Sequence, residues 1–249
     1  MFTDGGQQPI LADMNIILFE QMPPNFTIGL DDYRGNHIRK ILKLQKGDTC
    51  NMGICNQRAF KARIMEIDSH GIRFAIEQEL PIAKASPSAL LVGQVRPISM
   101  KRILREATSL GIGSIIVVGT DTSERSYRNA KLWNTQEAHT YLISGAMQSA
   151  QIWVPELLLY DSLEEFLSQP SCWERHILLD NELLGKPLSF FASSPLSYIV
   201  AIGSERGWSK RERDLFLDFG YETASLGPRV LRTETACTAA LAILNSSWE

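Results

Sequence analysis

The stretch IVAIGSERGWSKRERDLFLDFGYETASLGPRVLRTETACTAALAIL, Ile199 to Leu244, decides the fold. Its first residues are an uninterrupted apolar run, as a strand buried on both faces requires. The run stops at a glycine-bounded loop, Gly203-Ser204-Glu205-Arg206-Gly207. Ser209 and Glu212 then have the spacing of a capping box, which predicts a helix closed by Gly220. A short strand ends in Leu226-Gly227-Pro228, and Arg232-Thr233-Glu234-Thr235 opens a last, alanine-rich helix that Thr233 or Thr235 can cap. Two tight loops therefore stand beside helix starts. Free helix N–H groups and glycine backbone suit a nucleotide-like ligand.

Working outward, strands alternate with helices from about residue 89. Strands are expected at Leu90–Val95, Ile115–Val118, Glu156–Tyr160, His176–Leu179 and Tyr198–Ile202. Helices are expected at Lys101–Leu110, Leu132–Ser149 and Leu163–Leu167. This order predicts an α/β domain with a mostly parallel sheet covered on both faces. From Met14 to Lys84 the pattern is mainly β, with one short helical piece at His37–Leu42 and turns at Lys46-Gly47-Asp48 and His70-Gly71. Short strands of this kind suggest a small barrel. Pro81 and Pro87 bracket the expected linker, so the domains are read as 14–84 and 85–249, with residues 1–13 an N-terminal extension.

Composition narrows the function. Apolar residues make up 44% of 249, enough for a core without disulfides. The longest apolar runs are too short to span a bilayer, and no export signal opens the sequence, so a cytoplasmic protein is expected. The four cysteines lack zinc-ligand spacing, and no metal is expected. Net charge is -3, which argues against a wholly basic nucleic-acid binder but not against a local basic patch. Residues 14–84 carry ten Lys and Arg against eight Asp and Glu. The four histidines are scattered and suggest no nucleophile–base pair.

GSERG alone reads equally well as an ordinary strand-to-helix turn, and GxxxG is no dinucleotide fingerprint. Joined to SLGPRVLRTET, however, it resembles the C-terminal signature of the RsmE-type 16S rRNA uracil-N3 methyltransferases of the SPOUT, or trefoil-knot, superfamily. HIRKILKLQKGD similarly resembles that family's N-terminal PUA-like domain. Gln148, Ser149, Val154, Pro155 and Glu156 match a further family segment, while Met147, Ala150 and Gln151 stand where Glu, Gly and Arg are usual. Ser204 and Arg206 replace the usual Pro and Gly.

The resemblance implies a PUA-like β-barrel followed by a SPOUT α/β domain with a C-terminal trefoil knot. It implies S-adenosylmethionine held by Leu179, Ile202, Gly203, Glu205 and Gly207, and by Leu226, Gly227, Leu231, Thr233 and Thr235. Arg232 is the candidate for stabilising a uracil anion, with Glu234 orienting it or acting as base. Arg39, Lys40 and Lys61 on the barrel, with Arg125, Arg128 and Gln148, are the candidate RNA contacts. The partners implied are 16S rRNA or the 30S subunit, and a second copy in a homodimer. Two other readings stay open: a SPOUT methyltransferase acting on another RNA such as tRNA, and a catalytically weakened RNA-binding ribosome-assembly factor.

Overall fold

The computed structural model describes residues 15–193 and 196–247. The expected extension at 1–13 lies outside them. The described residues divide into two compact units, 15–84 with 146–153, and 85–145 with 154–247.

The first unit is built on a five-stranded sheet. Its strands are β1 (Ile16–Phe19), β2 (Thr27–Ile28), β3 (Thr49–Ile54), β4 (Arg58–Asp68) and β5 (Gly71–Leu80), ordered β1-β3-β4-β5-β2. β1 runs parallel to β3, and the remaining pairs are antiparallel. Register shifts at Lys61/Ala62 and Ile64/Glu66 interrupt the long β4–β5 ladder. Such bulges bend and twist a strand, so the sheet curls. Its inner face buries Ile17, Phe19, Met52, Phe60, Ile64 and Phe74, with Phe74 stacked between Phe19 and Phe60. The expected helical piece is real but starts earlier. Helix α1 (Tyr33–Asn36), capped by Asp32 accepting the Arg34 amide at 2.9 Å, runs on as a π-turn, His37–Ile41. Cys50 and Cys55 are buried or half-buried, and burial pushes their thiols up to about 12 and about 11. Both are therefore poor nucleophiles at neutral pH.

The 146–153 segment joins this unit through Ile152, whose carbonyl accepts the Asn56 amide at 3.0 Å, and through Trp153, whose indole donates to the Ala83 carbonyl at 2.6 Å.

The second unit carries a seven-stranded sheet in which every pair is parallel. The strands are β6 (Ala89–Gly93), β7 (Ser114–Val118), β8 (Glu156–Tyr160), β9 (Arg175–Leu179), β10 (Lys186–Pro187), β11 (Tyr198–Ile202) and β12 (Glu222–Ser225). Their order is β10-β12-β9-β11-β6-β7-β8. Central β6 and β11 are buried at every position, which is why both read as continuous apolar runs. The helices are α2 (Pro97–Ser109), α3 (Lys131–Asn134), α4 (Glu137–Gln148), α5 (Leu163–Leu167), α6 (Lys210–Asp218) and α7 (Thr233–Leu244).

Three expectations need correction. The single helix expected over 132–149 is two, α3 and α4, because Thr135 adopts an extended conformation and its hydroxyl accepts the Glu137 amide at 3.2 Å. The strand expected to reach Val95 ends at Gly93. The edge strand β10 carries no apolar run and was not anticipated. The capping box at Ser209 and Glu212 is present as expected, and Gly220 follows the C-cap of α6 with φ +78°.

α7 buries Cys237, Ala240, Leu241 and Leu244, a stripe at helical spacing, and packs on α2 and β11. Asn245 just beyond it accepts the Tyr198 hydroxyl at 2.6 Å and donates to the Leu110 carbonyl at 2.8 Å. Among the described residues no helix is long and apolar enough to cross a membrane.

Candidate functional site

β11 lies between β9 and β6, so the chain leaves its carboxyl end where strand order reverses. Open α/β sheets bind ligands at such a point. Here residues following β6, β9, β11 and β12 line one cavity of about 680 Å³. Its walls are Arg96, Leu179–Glu182, Ile202–Trp208, Ser225–Gly227, Arg229–Glu234 and Ala236.

The 203–207 loop folds tightly on itself. The Gly207 amide donates to the Ser204 carbonyl at 2.9 Å, and Gly207 has φ +69°. A Cβ on Gly203 would lie 2.8 Å from Gly207 Cα, so only glycine fits there. The loop is braced from outside. Thr122 Oγ1 donates to the Gly207 carbonyl at 2.8 Å and meets Ser204 Oγ at 2.9 Å. Glu212 Oε2 accepts the Ser209 amide at 2.7 Å, while Oε1 accepts the Asp121 amide at 2.8 Å. Hydrogen bonds from Arg211, then from Ser209, hold the Asp121 carboxyl below its usual range.

Behind the cavity wall, Arg213 of α6 is buried and pairs with Asp180 at 2.8 Å and Glu182 at 2.9 Å. Asp180 Oδ1 also accepts the Glu182 and Leu183 amides, which fixes the chain leaving β9. Glu205 Oε1 accepts the Arg96 amide at 2.9 Å, and Arg96 Nε donates to the Tyr127 hydroxyl at 3.2 Å. The Trp208 indole N–H is buried without a partner among the described residues.

The cavity gathers Leu179, Ile202, Gly203, Glu205, Gly207, Leu226, Gly227, Leu231, Thr233, Arg232 and Glu234. It leaves out Thr235, which is exposed on α7. The expected threonine cap is not made. Arg232 is the N-cap residue and no side chain caps the helix, so the first-turn N–H groups keep their hydrogen-bonding capacity. Glu234 is buried, and its ion-pair partner is Arg102 of α2 at 3.8 Å rather than Arg232. The Arg232 guanidinium makes no hydrogen bond or ion pair with the described residues.

The other candidates lie elsewhere. Arg128 donates to the Asp161 carbonyl at 2.7 Å and pairs with its carboxylate, so it clamps the turn after β8 instead of offering a free cation. Arg125 lines the same cleft, with Arg211 and Glu164, and is unpaired among the described residues. Arg39 and Lys40 are exposed on the π-turn, Lys61 is half-buried on β4, and Gln148 is exposed at the end of α4.

Residues 83–245 match the family model of the RNA methyltransferase domain. The ribosomal RNA small subunit methyltransferase E of Treponema pallidum is 36% identical over 240 residues, covering 93% of this chain and 90% of the relative. The enzyme named methyltransferase E 1 from Borreliella burgdorferi is 30% identical, covering 94% and 98%. The chain belongs to the ribosomal RNA small subunit methyltransferase E family.

Solved structures agree on the fold. A methyltransferase E from Neisseria gonorrhoeae, described as bound to S-adenosyl methionine, superposes with a TM-score of 0.76 at 22% identity, covering 94% of this chain and 98% of that one. A probable rRNA methyltransferase from Porphyromonas gingivalis gives 0.74 at 20% identity, covering 94% and 100%. Sequence reasoning missed Asp180, Arg96 and Trp208 at this cavity, and Arg213 behind it. Trp208 directly follows the glycine loop, whereas the strand order brings Asp180 and Arg96 to the cavity.

Proposed function

We propose that this protein transfers a methyl group from S-adenosylmethionine to N3 of a uridine in 16S rRNA. The observation that carries the reading is the cavity at the switch point, in a chain belonging to the methyltransferase E family. Its volume of about 680 Å³ falls within the roughly 300–1,000 Å³ of small-molecule sites. The residues present fit the cofactor. Leu179, Ile202, Leu226 and Leu231 offer apolar walls, the glycine loop offers close backbone approach, and α7 opens with uncapped N–H groups.

The bound cofactor supplies an electrophilic methyl carbon on a sulfonium. The protein's own residues prepare the acceptor. N3 of uracil carries a proton that must leave before or during attack, and Glu234, a cavity carboxylate whose ion-pair partner Arg102 lies 3.8 Å away, is the group assigned to accept it. Losing that proton spreads negative charge over the uracil, and the unpaired Arg232 guanidinium stabilises it in the same cavity. Holding N3 and the methyl carbon in line supplies much of the remaining rate.

In this reading the curled N-terminal sheet of residues 14–84 is a PUA-like barrel that docks RNA through Arg39, Lys40 and Lys61, with Arg125 and Gln148 as further contacts. Residues 85–249 form a SPOUT domain whose last segment threads a trefoil knot. The position of β11 between β9 and β6, and the packing of α7 on α2, support it. The protein acts as a cytoplasmic homodimer on the 30S subunit. Ile98 and Val230, 77% and 80% exposed beside the cavity, supply apolar surface for the second copy.

Incubation with labelled S-adenosylmethionine tests the reading. Label should enter 16S rRNA of 30S subunits lacking the modification, and not tRNA. Label in tRNA alone would replace the substrate. Cofactor binding with no transfer to either would favour an assembly factor.

A further inference from the structure

We infer that Thr122 is a positioning residue for the 203–207 loop, acting through a hydroxyl relay that runs from Ser204 to the Gly207 carbonyl; the functional consequence rests on the cofactor reading above. Thr122 lies outside the cavity lining, in the turn after β7, and reaches the loop from 82 and 85 residues away in sequence. Proton counting fixes the direction of the relay. The Gly207 carbonyl can only accept, so the single Thr122 proton goes to it at 2.8 Å. Thr122 Oγ1 then accepts from Ser204 Oγ at 2.9 Å, a shorter path for the Ser204 proton than the 3.4 Å to the Gly207 carbonyl. Ser204 Oγ in turn lies 3.4 Å from the Arg206 amide, which can donate only.

Two consecutive hydroxyls donating in one direction polarise each other, which strengthens both bonds. Ser204 is 5% exposed, so little water is available to replace a lost partner. The Thr122 turn is itself anchored. Thr120 and Ser123 exchange four hydrogen bonds across it, and the Asp121 amide is held by buried Glu212. The relay thus ties a loop with φ +69° at Gly207 to the turn after β7, one strand beyond β6 in the sheet. What it fixes is the orientation of the Gly203–Gly207 backbone that walls the cavity. A loop held before binding loses less entropy when ligand arrives.

The test compares wild type with Thr122→Val, Thr122→Ser and Ser204→Ala. Two measurements are made: S-adenosylmethionine affinity by calorimetry, and amide hydrogen exchange of 203–207 in the ligand-free protein. Thr122→Val should weaken binding about tenfold and speed exchange at Gly207, whose carbonyl loses its nearer donor and keeps only Ser204 Oγ at 3.4 Å. Thr122→Ser keeps the hydroxyl and should restore both to within about twofold. Ser204→Ala removes the first donor of the relay and should give an intermediate loss; it also serves if Thr122→Val does not fold. Wild-type affinity and exchange in Thr122→Val, or in Ser204→Ala should that variant be needed, would overturn the proposal. Failure of the wild type to bind cofactor would overturn the functional reading instead, and the exchange data would still decide the relay.

Discussion

Glu212 and Asp121 are joined by a hydrogen bond across 91 residues of sequence: the Asp121 amide donates to Glu212 Oε1 at 2.8 Å. The second oxygen of the same carboxylate accepts the Ser209 amide at 2.7 Å and closes the capping box of α6. One buried side chain therefore starts a helix and pins the turn beside the glycine loop. Glu212→Gln turns one acceptor into a donor facing a backbone N–H. It should cost about 1–3 kcal/mol, read as a lower urea midpoint at unchanged slope.

Ala150 has φ +56°, where residues other than glycine are strained. It follows α4. Ala150→Gly should raise stability by about 1 kcal/mol in a thermal or urea melt. No gain would mean the neighbouring contacts, not the residue's own conformation, set the stability of this turn.

Burial pushes the phenols of Tyr198 and Tyr221 well above the usual tyrosine range. The unfolded chain ionises them near pH 10, whereas the folded chain keeps them neutral. Their contribution to stability is therefore full below about pH 10 and falls as pH rises beyond it. A phenolate absorbance titration should show these two of the six tyrosines ionising only as the fold opens. Tyr198→Phe should cost about 1 kcal/mol at neutral pH, through loss of the bond to Asn245.

Much of the second unit was legible because its signals are local. Ser209 and Glu212 are three residues apart, the β6 and β11 runs are unbroken, and Gly220 closes α6. The long-range pairs were not legible. Arg128 meets Asp161 across 33 residues, and Glu234 meets Arg102 from another helix altogether. Neither the Arg128–Asp161 pair nor the Glu234–Arg102 pair leaves a mark in local spacing. The polar run Asn134–Glu137 marks the break, and one extended residue within it, Thr135, suffices to divide the helix.

Arg39, Lys40 and Lys61 make no ion pair with the described residues, so their charge is available to phosphates. Replacing all three with Ala should weaken RNA binding and reduce the slope of log affinity against log salt by about 2–3. An unchanged slope would remove this unit from the RNA interface.

The most direct test maps the product. The protein and its Arg232→Ala variant are incubated with S-adenosylmethionine and 30S subunits lacking the uridine modification, and the 16S rRNA is then read by reverse transcription. N3-methylation blocks the Watson–Crick edge and stops the copy. The account predicts one cofactor-dependent stop at a uridine with the wild type, and a loss of at least about a hundredfold in rate with a folded Arg232→Ala variant. A stop made equally well by the variant would contradict the role of Arg232, and no stop with the wild type would contradict the proposed reaction.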